Sequence, residues 1–333
     1  MAECLKAPLG YSNFDNNGGG AWLYYINVPI TTIPAEYAQY KVIITANSFE
    51  IYAADGTLKL QDTTSGVWNN FWANVQSSGD DIRVFDQNKT QLYFWREEWD
   101  YTNQRCVIWV NLPANSTELN IAYGNPNALK STYEDPNTVF EYFEDFDGTA
   151  LPNGWVVRNV GTGANVVVTV SNSILTAQET GGAWGHVAYT TGFSYPLVAR
   201  IKAKLDVDGN YYFIGLEDRA MTGSALGAGI DAAAVVVDTT TAGAYRSARE
   251  STYTHIQKTA DYSQWQTLTI VWQSTSVKFV TEGIEEVTST TNIPLDNMGF
   301  IFWVLGRTVY VDWVQILKLA DPAAFGTPQV LAF

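Results

Sequence analysis

The chain is poor in basic residues. Its 333 residues include 34 Asp and Glu but only 19 Lys and Arg, which gives a formal net charge of −15. Proteins that bind nucleic acids or anionic membrane surfaces take much of their affinity from lysine and arginine. The charge balance therefore argues against both kinds of partner, and an acidic excess of this size mainly keeps a protein soluble.

Cysteine and long apolar runs are also scarce. Cys4 and Cys106 are the two cysteines, too few for a disulfide scaffold or a cysteine zinc site, and they form either two free thiols or one bridge. The most apolar run, residues 232–237, is far shorter than the ~20 residues of a membrane helix. The N-terminus lacks the basic stretch and apolar core of a secretory signal. We expect either that a signal was removed or that the protein is made in the cytosol and does not use that export route.

Strand-forming residues dominate what is present. Runs rich in β-branched and aromatic side chains follow one another, separated by turn signals such as Asp55-Gly56. No stretch predicts a helix of ten residues or more, although residues 34–40 and 69–75 could form a helical turn or two. The sequence therefore predicts an all-β protein with two tandem antiparallel β-sandwich (jelly-roll) domains.

Composition shifts set the expected boundaries. We expect an N-terminal arm over residues 1–20, a first sandwich over 21–140, a jelly roll over 141–320 and a C-terminal tail over 321–333. The tail contains apolar side chains and two prolines, which favour an extended chain that runs across a surface instead of continuing a sheet. Its expected docking residues, most simply on a neighbouring molecule, are Phe325, Val330, Leu331 and Phe333.

Four motifs stand in order in the first half. Residues 80–86 read DDIRVFD, 91–100 read QLYFWREEWD, 107–113 read VIWVNLP and 121–128 read IAYGNPNA. Over about residues 20–140 this order resembles the DUF2341 family, with departures at Val84 and Ala122. The resemblance implies a β-sandwich module of large extracellular and virion proteins, often beside lectin-like domains, without established catalytic residues.

The second half resembles those lectin-like partners. Residues 143–148 (FEDFDG) and 309–316 (VYVDWVQI) are similar to the first and last strands of a concanavalin-A-like jelly roll. Residues 265–283 resemble a hairpin of laminin-G-like and glucanase-like sandwiches. The resemblance implies a fold, and this fold supports many functions.

Catalytic patterns are missing. Glucanases of this fold carry a Glu-x-Asp-x-x-Glu strand whose alternate residues face the cleft, and the sequence has no such motif. Glu217 and Asp218 are adjacent, so they should face opposite sides of a strand. The two histidines, His186 and His255, lie near no nucleophile elbow and are expected to be loop or edge residues. We therefore predict that the protein is not an enzyme.

Two binding sites are considered. Trp184 lies in a glycine-rich loop beside His186, and an exposed indole can stack on the apolar face of a sugar, so this pair is a candidate glycan contact. The other tryptophans are expected mainly in the cores. Asp145 and Asp147 are candidate calcium ligands, although turn-forming aspartate is the commoner role. No other cofactor is expected.

The favoured interpretation is a non-enzymatic structural or adhesion protein at a virion surface, such as a capsid decoration, turret or tail protein. A virus assembles in the cytosol and leaves the cell whole, which accounts for the missing signal. The expected partners are further copies in a symmetric homo-oligomer, other virion proteins and glycans. The alternatives are a secreted or cell-surface carbohydrate-binding protein and, less favoured, a glycoside hydrolase.

Overall fold

A computed structural model describes residue 15 and residues 17–160, 162–206, 212–218, 220, 231–238, 241–250, 252–319 and 323–332. Within these ranges the strands pair antiparallel and only two short helices occur. The expected all-β fold class is confirmed. The chain divides into two compact units, the first formed by Met1–Glu141 with Lys318–Phe333 and the second by Tyr142–Leu317.

The elements are numbered in chain order. The first part contains β1 (Tyr24–Thr32), β2 (Ala38–Ile44), β3 (Phe49–Ala53), β4 (Leu58–Asp62), α1 (Val67–Asn74), β5 (Arg83–Phe85), β6 (Phe94–Asp100), β7 (Arg105–Leu112), β8 (Glu118–Tyr123) and α2 (Pro136–Val139). The middle part contains β9 (Tyr142–Glu144), β10 (Trp155–Asn159), β11 (Val166–Ser171), β12 (Ile174–Glu179), β13 (Gly185–Tyr189), β14 (Leu197–Leu205), β15 (Tyr212–Glu217), β16 (Ala232–Asp238), β17 (Thr241–Arg249), β18 (Thr252–Gln257), β19 (Gln266–Trp272), β20 (Val277–Thr281), β21 (Ile284–Ser289), β22 (Gly299–Val304) and β23 (Thr308–Lys318). The last two strands are β24 (Ala324–Phe325) and β25 (Gln329–Ala332).

The first unit is a sandwich of two sheets. One sheet has the order β24-β1-β8-β5, with β25 also on β1, and the other has the order β4-β3-β2-β7-β6. Strand alternation sends Ile26 and Val28 of β1 into the core between the sheets. Helix α1, near the short helical stretch expected at residues 69–75, adds Trp68 and Phe71 to that core, whereas residues 34–40 lead into β2.

The second unit is also a two-layer sandwich. A seven-stranded sheet has the order β10-β13-β22-β15-β16-β17-β18, and an eight-stranded sheet has the order β11-β12-β23-β14-β19-β20-β21 with β9 on β23. Alternate side chains such as Phe302 and Ile214 from one sheet and Ile270 and Leu175 from the other share one core.

The C-terminal tail continues a sheet, contrary to the expectation from its prolines. β24 and β25 pair antiparallel with β1, and Pro328, which cannot donate to a ladder, stands between the two short strands. Phe325 is 8% exposed and belongs to the core of the first unit, and Val330 packs against that core. Burying these two side chains therefore needs no neighbouring molecule, which corrects their assignment to a separate docking segment. Leu331 is 37% exposed, and Phe333 lies outside the described residues.

One buried side chain of the first unit holds both chain segments that lead to and from the second unit. Gln39, 1% exposed, donates from Nε2 to the carbonyl of Val139 (3.1 Å) and accepts at Oε1 from the backbone N–H of Lys318 (3.1 Å). The hydroxyl of Tyr37 also donates to Glu141 (2.5 Å). The chain therefore leaves and re-enters the first unit at neighbouring points on β2.

Candidate functional site

The expected glycan contacts lie on the face of the seven-stranded sheet that points away from the eight-stranded sheet, here called the seven-strand outer face. Its side chains form an apolar cluster separate from the main core. The central strands contribute mostly small or aromatic residues: Ala188, Phe213, Ala232, Ala234, Ile301 and Trp303. All of these are buried, so the centre of this face is closed to solvent.

An aromatic and polar cluster lies at the centre of the face. His186 on β13 is directly opposite Trp303 on β22, and their ring centroids are 4.1 Å apart. The indole Nε1 of Trp303 donates to Glu217 Oε2 at 2.8 Å, and Trp184 meets Trp303 edge-on at 6.2 Å. The fold thus brings the expected pair, Trp184 and His186, together through Trp303.

His186 is not a surface residue. It is 0% exposed, and β13 lies between β10 and β22 inside the sheet. The expectation of a loop or edge histidine that touches a glycan is therefore wrong for His186. Trp184 stays in a loop, half-buried against the cluster, whereas His255 lies on the edge strand β18 as expected.

The carboxylates on this face bear on hydrolase chemistry. Glycosidases of the usual kinds place two carboxyl groups about 5–9.5 Å apart. Among the side chains described on the seven-strand outer face, Glu217 is the one carboxylate, and it is fully buried as the acceptor of Trp303. Sequence reasoning considered Glu217 only as a catalytic carboxylate and missed Trp303, although period-two alternation along β15 and β22 carries the signal for placing both on this face.

The loop that presents Trp184 is fixed by a second buried carboxylate. Glu179, 2% exposed, accepts hydrogen bonds from the backbone N–H groups of Asn165, Gly181, Gly182 and Gly306. Burial raises the pKa of Glu179, but these four donors outweigh burial, and the net pKa lies below the ordinary value. Glu179 therefore stabilises the loop in its charged form.

Replacing Glu179 with Gln is expected to lower the free energy of unfolding by about 1–3 kcal/mol at pH 7, because an amide oxygen replaces a charged acceptor. Since the folded pKa is depressed, this stabilisation is complete above the ordinary glutamate pKa of about 4.3 and is lost as the pH falls through the lower folded value. Denaturant titrations of both proteins between pH 7 and pH 3 should show the difference shrinking below about pH 4.3. A constant difference over that range would contradict the assignment.

The edge of the same face is open. Tyr253 on β18 is 54% exposed and stacks on His255, with centroids 4.9 Å apart. Arg246 on β17 donates from Nε to His255 Nε2 at 2.7 Å, and its guanidinium carbon lies 4.9 Å from the Tyr253 ring. An exposed ring held in this way offers a stacking surface.

The expected calcium ligands lie in the loop that follows β9. Asp145 is half-buried, Asp147 is exposed, and the neighbouring Glu144 accepts from the backbone N–H of Phe146 (2.9 Å). Burial, followed by the charge of Asp147, raises the pKa of Asp145. Across the described part of the chain, no group of three or more His, Cys, Asp or Glu is placed to hold a metal ion.

The charged residues of the first-half motifs support the backbone. Asp81, 0% exposed, accepts from the backbone N–H groups of Gln76 (3.0 Å), Gly124 (2.6 Å) and Asn125 (3.2 Å). Burial raises its pKa against the lowering effect of these donors. The first motif is thereby tied to the fourth.

Arg83 has a similar structural role. It is 0% exposed and donates to four carbonyls, those of Asp15, Asp80, Ile82 and Leu129, at 2.8–3.0 Å. Of residues 1–16 of the expected arm, the structure describes Asp15, which Arg83 binds. Most of the arm, including Cys4, lies outside the described residues.

Two further groups of the first unit are Arg96, whose side chain is 10% exposed, and the buried Cys106. Arg96 makes a bidentate ion pair with Glu134 (2.9 and 2.8 Å) and donates to the carbonyl of Ser78 (2.6 Å). Cys106 is a free thiol, and burial raises its pKa well above the ordinary value, which makes it unreactive. In the described residues, no helix is long and apolar enough to cross a membrane.

Comparisons with known proteins agree with the first-half motifs. Residues 78–158 match the model of a family described as a domain of unknown function, DUF2341. The match extends past Glu141 into the second unit as far as β10. No curated protein matches the chain.

Similar solved structures include several glucanases. They include a β-1,3-glucanase from Mycobacterium marinum (16% identity, TM-score 0.40, 53% of this chain and 98% of that chain). A β-1,3-1,4-glucanase (lichenase) from a mouse hindgut metagenome is 14% identical (TM-score 0.40, 53% and 98%). The Bacillus licheniformis β-glucanase is 13% identical (TM-score 0.40, 54% and 98%).

Proposed function

We propose that this chain is a non-enzymatic structural or adhesion protein of an extracellular surface, with a virion component such as a capsid decoration, turret or tail protein as the favoured setting. The observation that carries the proposal is how the buried charges are used. Asp81, Arg83, Arg96 and Glu179 all bind backbone groups or an ion-pair partner in the same chain. Active sites instead place perturbed charges where a substrate can reach them.

A second candidate is a carbohydrate-binding protein of a cell surface or a secreted one. Trp184 favours it, because its half-buried ring borders the aromatic cluster of the seven-strand outer face, whose edge presents the exposed ring of Tyr253. Aromatic rings next to polar groups are the usual components of sugar sites. The two functions are compatible, since an adhesion protein can bind glycans.

Immunogold electron microscopy of particles and cells from the native source tests the favoured setting. We expect gold on the outer surface at regular spacing, because a symmetric homo-oligomer should repeat there. Labelling confined to the cytosol, or a monomer at all concentrations by light scattering with no lattice in particle images, would contradict the proposal.

Incubation with β-glucans should release no reducing sugar. Release that disappears in Glu217→Gln would contradict the non-enzymatic assignment.

A further inference from the structure

An aromatic row crosses the opposite side of the second unit. On the eight-stranded sheet, Val309 and Val311 of β23 and Ala203 and Leu205 of β14 point into the core. Their neighbours in between, Tyr310 and Lys204, therefore lie on the other side, here called the eight-strand outer face. Trp265 lies immediately before β19, the strand that pairs with β14.

The three side chains form an ordered stack. Lys204 Nζ is 5.1 Å from the centroid of the Tyr310 ring and 5.2 Å from that of Trp265. Two rings thus flank one ammonium group, and all three residues are partly open to solvent. The stack differs in this respect from the closed cluster around Trp303.

Hydrogen-bonding groups lie in the adjacent row. Lys202 Nζ contacts Asp312 Oδ2 at 2.8 Å, and these side chains are 37% and 27% exposed. Thr267 is opposite Lys202 on β19, and Thr176 is opposite Tyr310 on β12. Both threonines are half-buried, so donors and acceptors border the rings on an accessible sheet surface.

We infer that this row, Trp265–Lys204–Tyr310, is a binding platform for a linear oligosaccharide of neutral sugars. The apolar faces of pyranose rings stack on Trp265 and Tyr310, and their hydroxyls bind Lys204, Lys202 and Asp312. Neutral sugars are favoured because Lys202 is already paired with Asp312, and Arg200 on the same face is 5% exposed and donates to Gln315 (2.8 Å), so its planar fork is not open to a sugar carboxylate. The inference rests on the carbohydrate-binding candidate above and assigns it to a different face from Trp184.

The experiment measures binding of cellohexaose, laminarihexaose and mannohexaose to the full chain by isothermal titration calorimetry. We expect at least one to bind, and both Trp265→Ala and Tyr310→Ala to weaken that binding at least tenfold. Tyr310→Phe, which keeps the ring, should bind within about threefold of the unmodified protein, and so should the matched control Tyr93→Ala, whose 38% exposed ring belongs to the first unit. Thermal melting checks that each variant is folded.

A measurement on the unmodified protein covers the case in which a variant fails to fold. A saturating concentration of the bound hexasaccharide should protect Trp265 and Tyr310 from hydroxyl-radical labelling and leave Trp184 unchanged. The inference is overturned if none of the three probes binds, if Trp184→Ala alone abolishes binding, or if an oligouronate binds more tightly than the neutral sugars. Loss of binding in Trp184→Ala alone would keep glycan binding but place it on the seven-strand outer face. None of the three outcomes changes the immunogold test of the surface role.

Discussion

Deleting residues 323–333 is expected to lower the melting temperature of the first unit by at least about 10 °C. The deletion removes Phe325 from the core, and truncating a buried phenylalanine typically costs about 3–5 kcal/mol. It also exposes the outer edge of β1, which β24 and β25 cover, and takes away the Ala323 N–H that donates to Tyr40 Oη at 2.7 Å. A loss of this size shifts the melting temperature of a domain of this length by about 10 °C or more.

Differential scanning calorimetry of the truncated and full-length chains measures this effect. Phe325→Ala should reproduce most of the shift, because the Phe325 ring packs edge-on against Tyr40 with centroids 5.1 Å apart. Leu331→Ser is the matched control: Leu331 is 37% exposed in the same tail, and its replacement should change stability by no more than about 0.5 kcal/mol. A truncated chain that melts like the full-length protein would show that the tail is dispensable for the fold.

Arg83→Met is expected to cost about 3–5 kcal/mol in the free energy of unfolding. The methionine fills part of the volume but leaves buried carbonyls without their donor and weakens the hold on Asp15, whose carboxylate lies 3.8 Å from the guanidinium. Removing one partner from a buried charged network has this typical cost. Chemical denaturation followed by intrinsic fluorescence gives the difference directly.

Arg105→Met provides the comparison for Arg83→Met. Arg105 pairs with Glu98 at 2.8 Å, but both side chains are more than 40% exposed, and such surface pairs contribute about 0–1 kcal/mol. Equal costs for the two substitutions would mean that the burial of Arg83 does not matter to the first unit.

Strand positions were predictable wherever apolar alternation is strong. Apolar alternation is strong at residues 197–205, 277–281 and 308–318, and each of these runs forms a single strand in the structure, β14, β20 and β23. β13 and β17 carry a weaker signal in the sequence, because their segments are rich in glycine, alanine and polar residues and gain their burial from neighbouring strands. β24 and β25 were misjudged because prolines argue against a strand, although an edge strand tolerates them.

The candidate site was predictable only in part. The glycines around Trp184 correctly indicate a loop, but nothing in the sequence shows that His186 lies opposite Trp303, because that contact depends on pairing between strands far apart in sequence. The same limit applies to the row formed by Lys204, Trp265 and Tyr310. Alternation within a strand predicts which side of the sheet a residue faces. The three residues lie on separate segments, however, and only the order of the strands in the sheet brings them together.

The hold of Gln39 on Val139 and Lys318 has an evolutionary consequence. A domain whose entry and exit are bound to one side chain of its host can be exchanged as a cassette, since the host needs only two neighbouring chain ends. Recombination at these positions would replace everything between Glu141 and Lys318 and leave the residues that complete the host sandwich in place. Such an exchange would leave β24 and β25 on β1, so the first unit would keep the strands that complete its sheet.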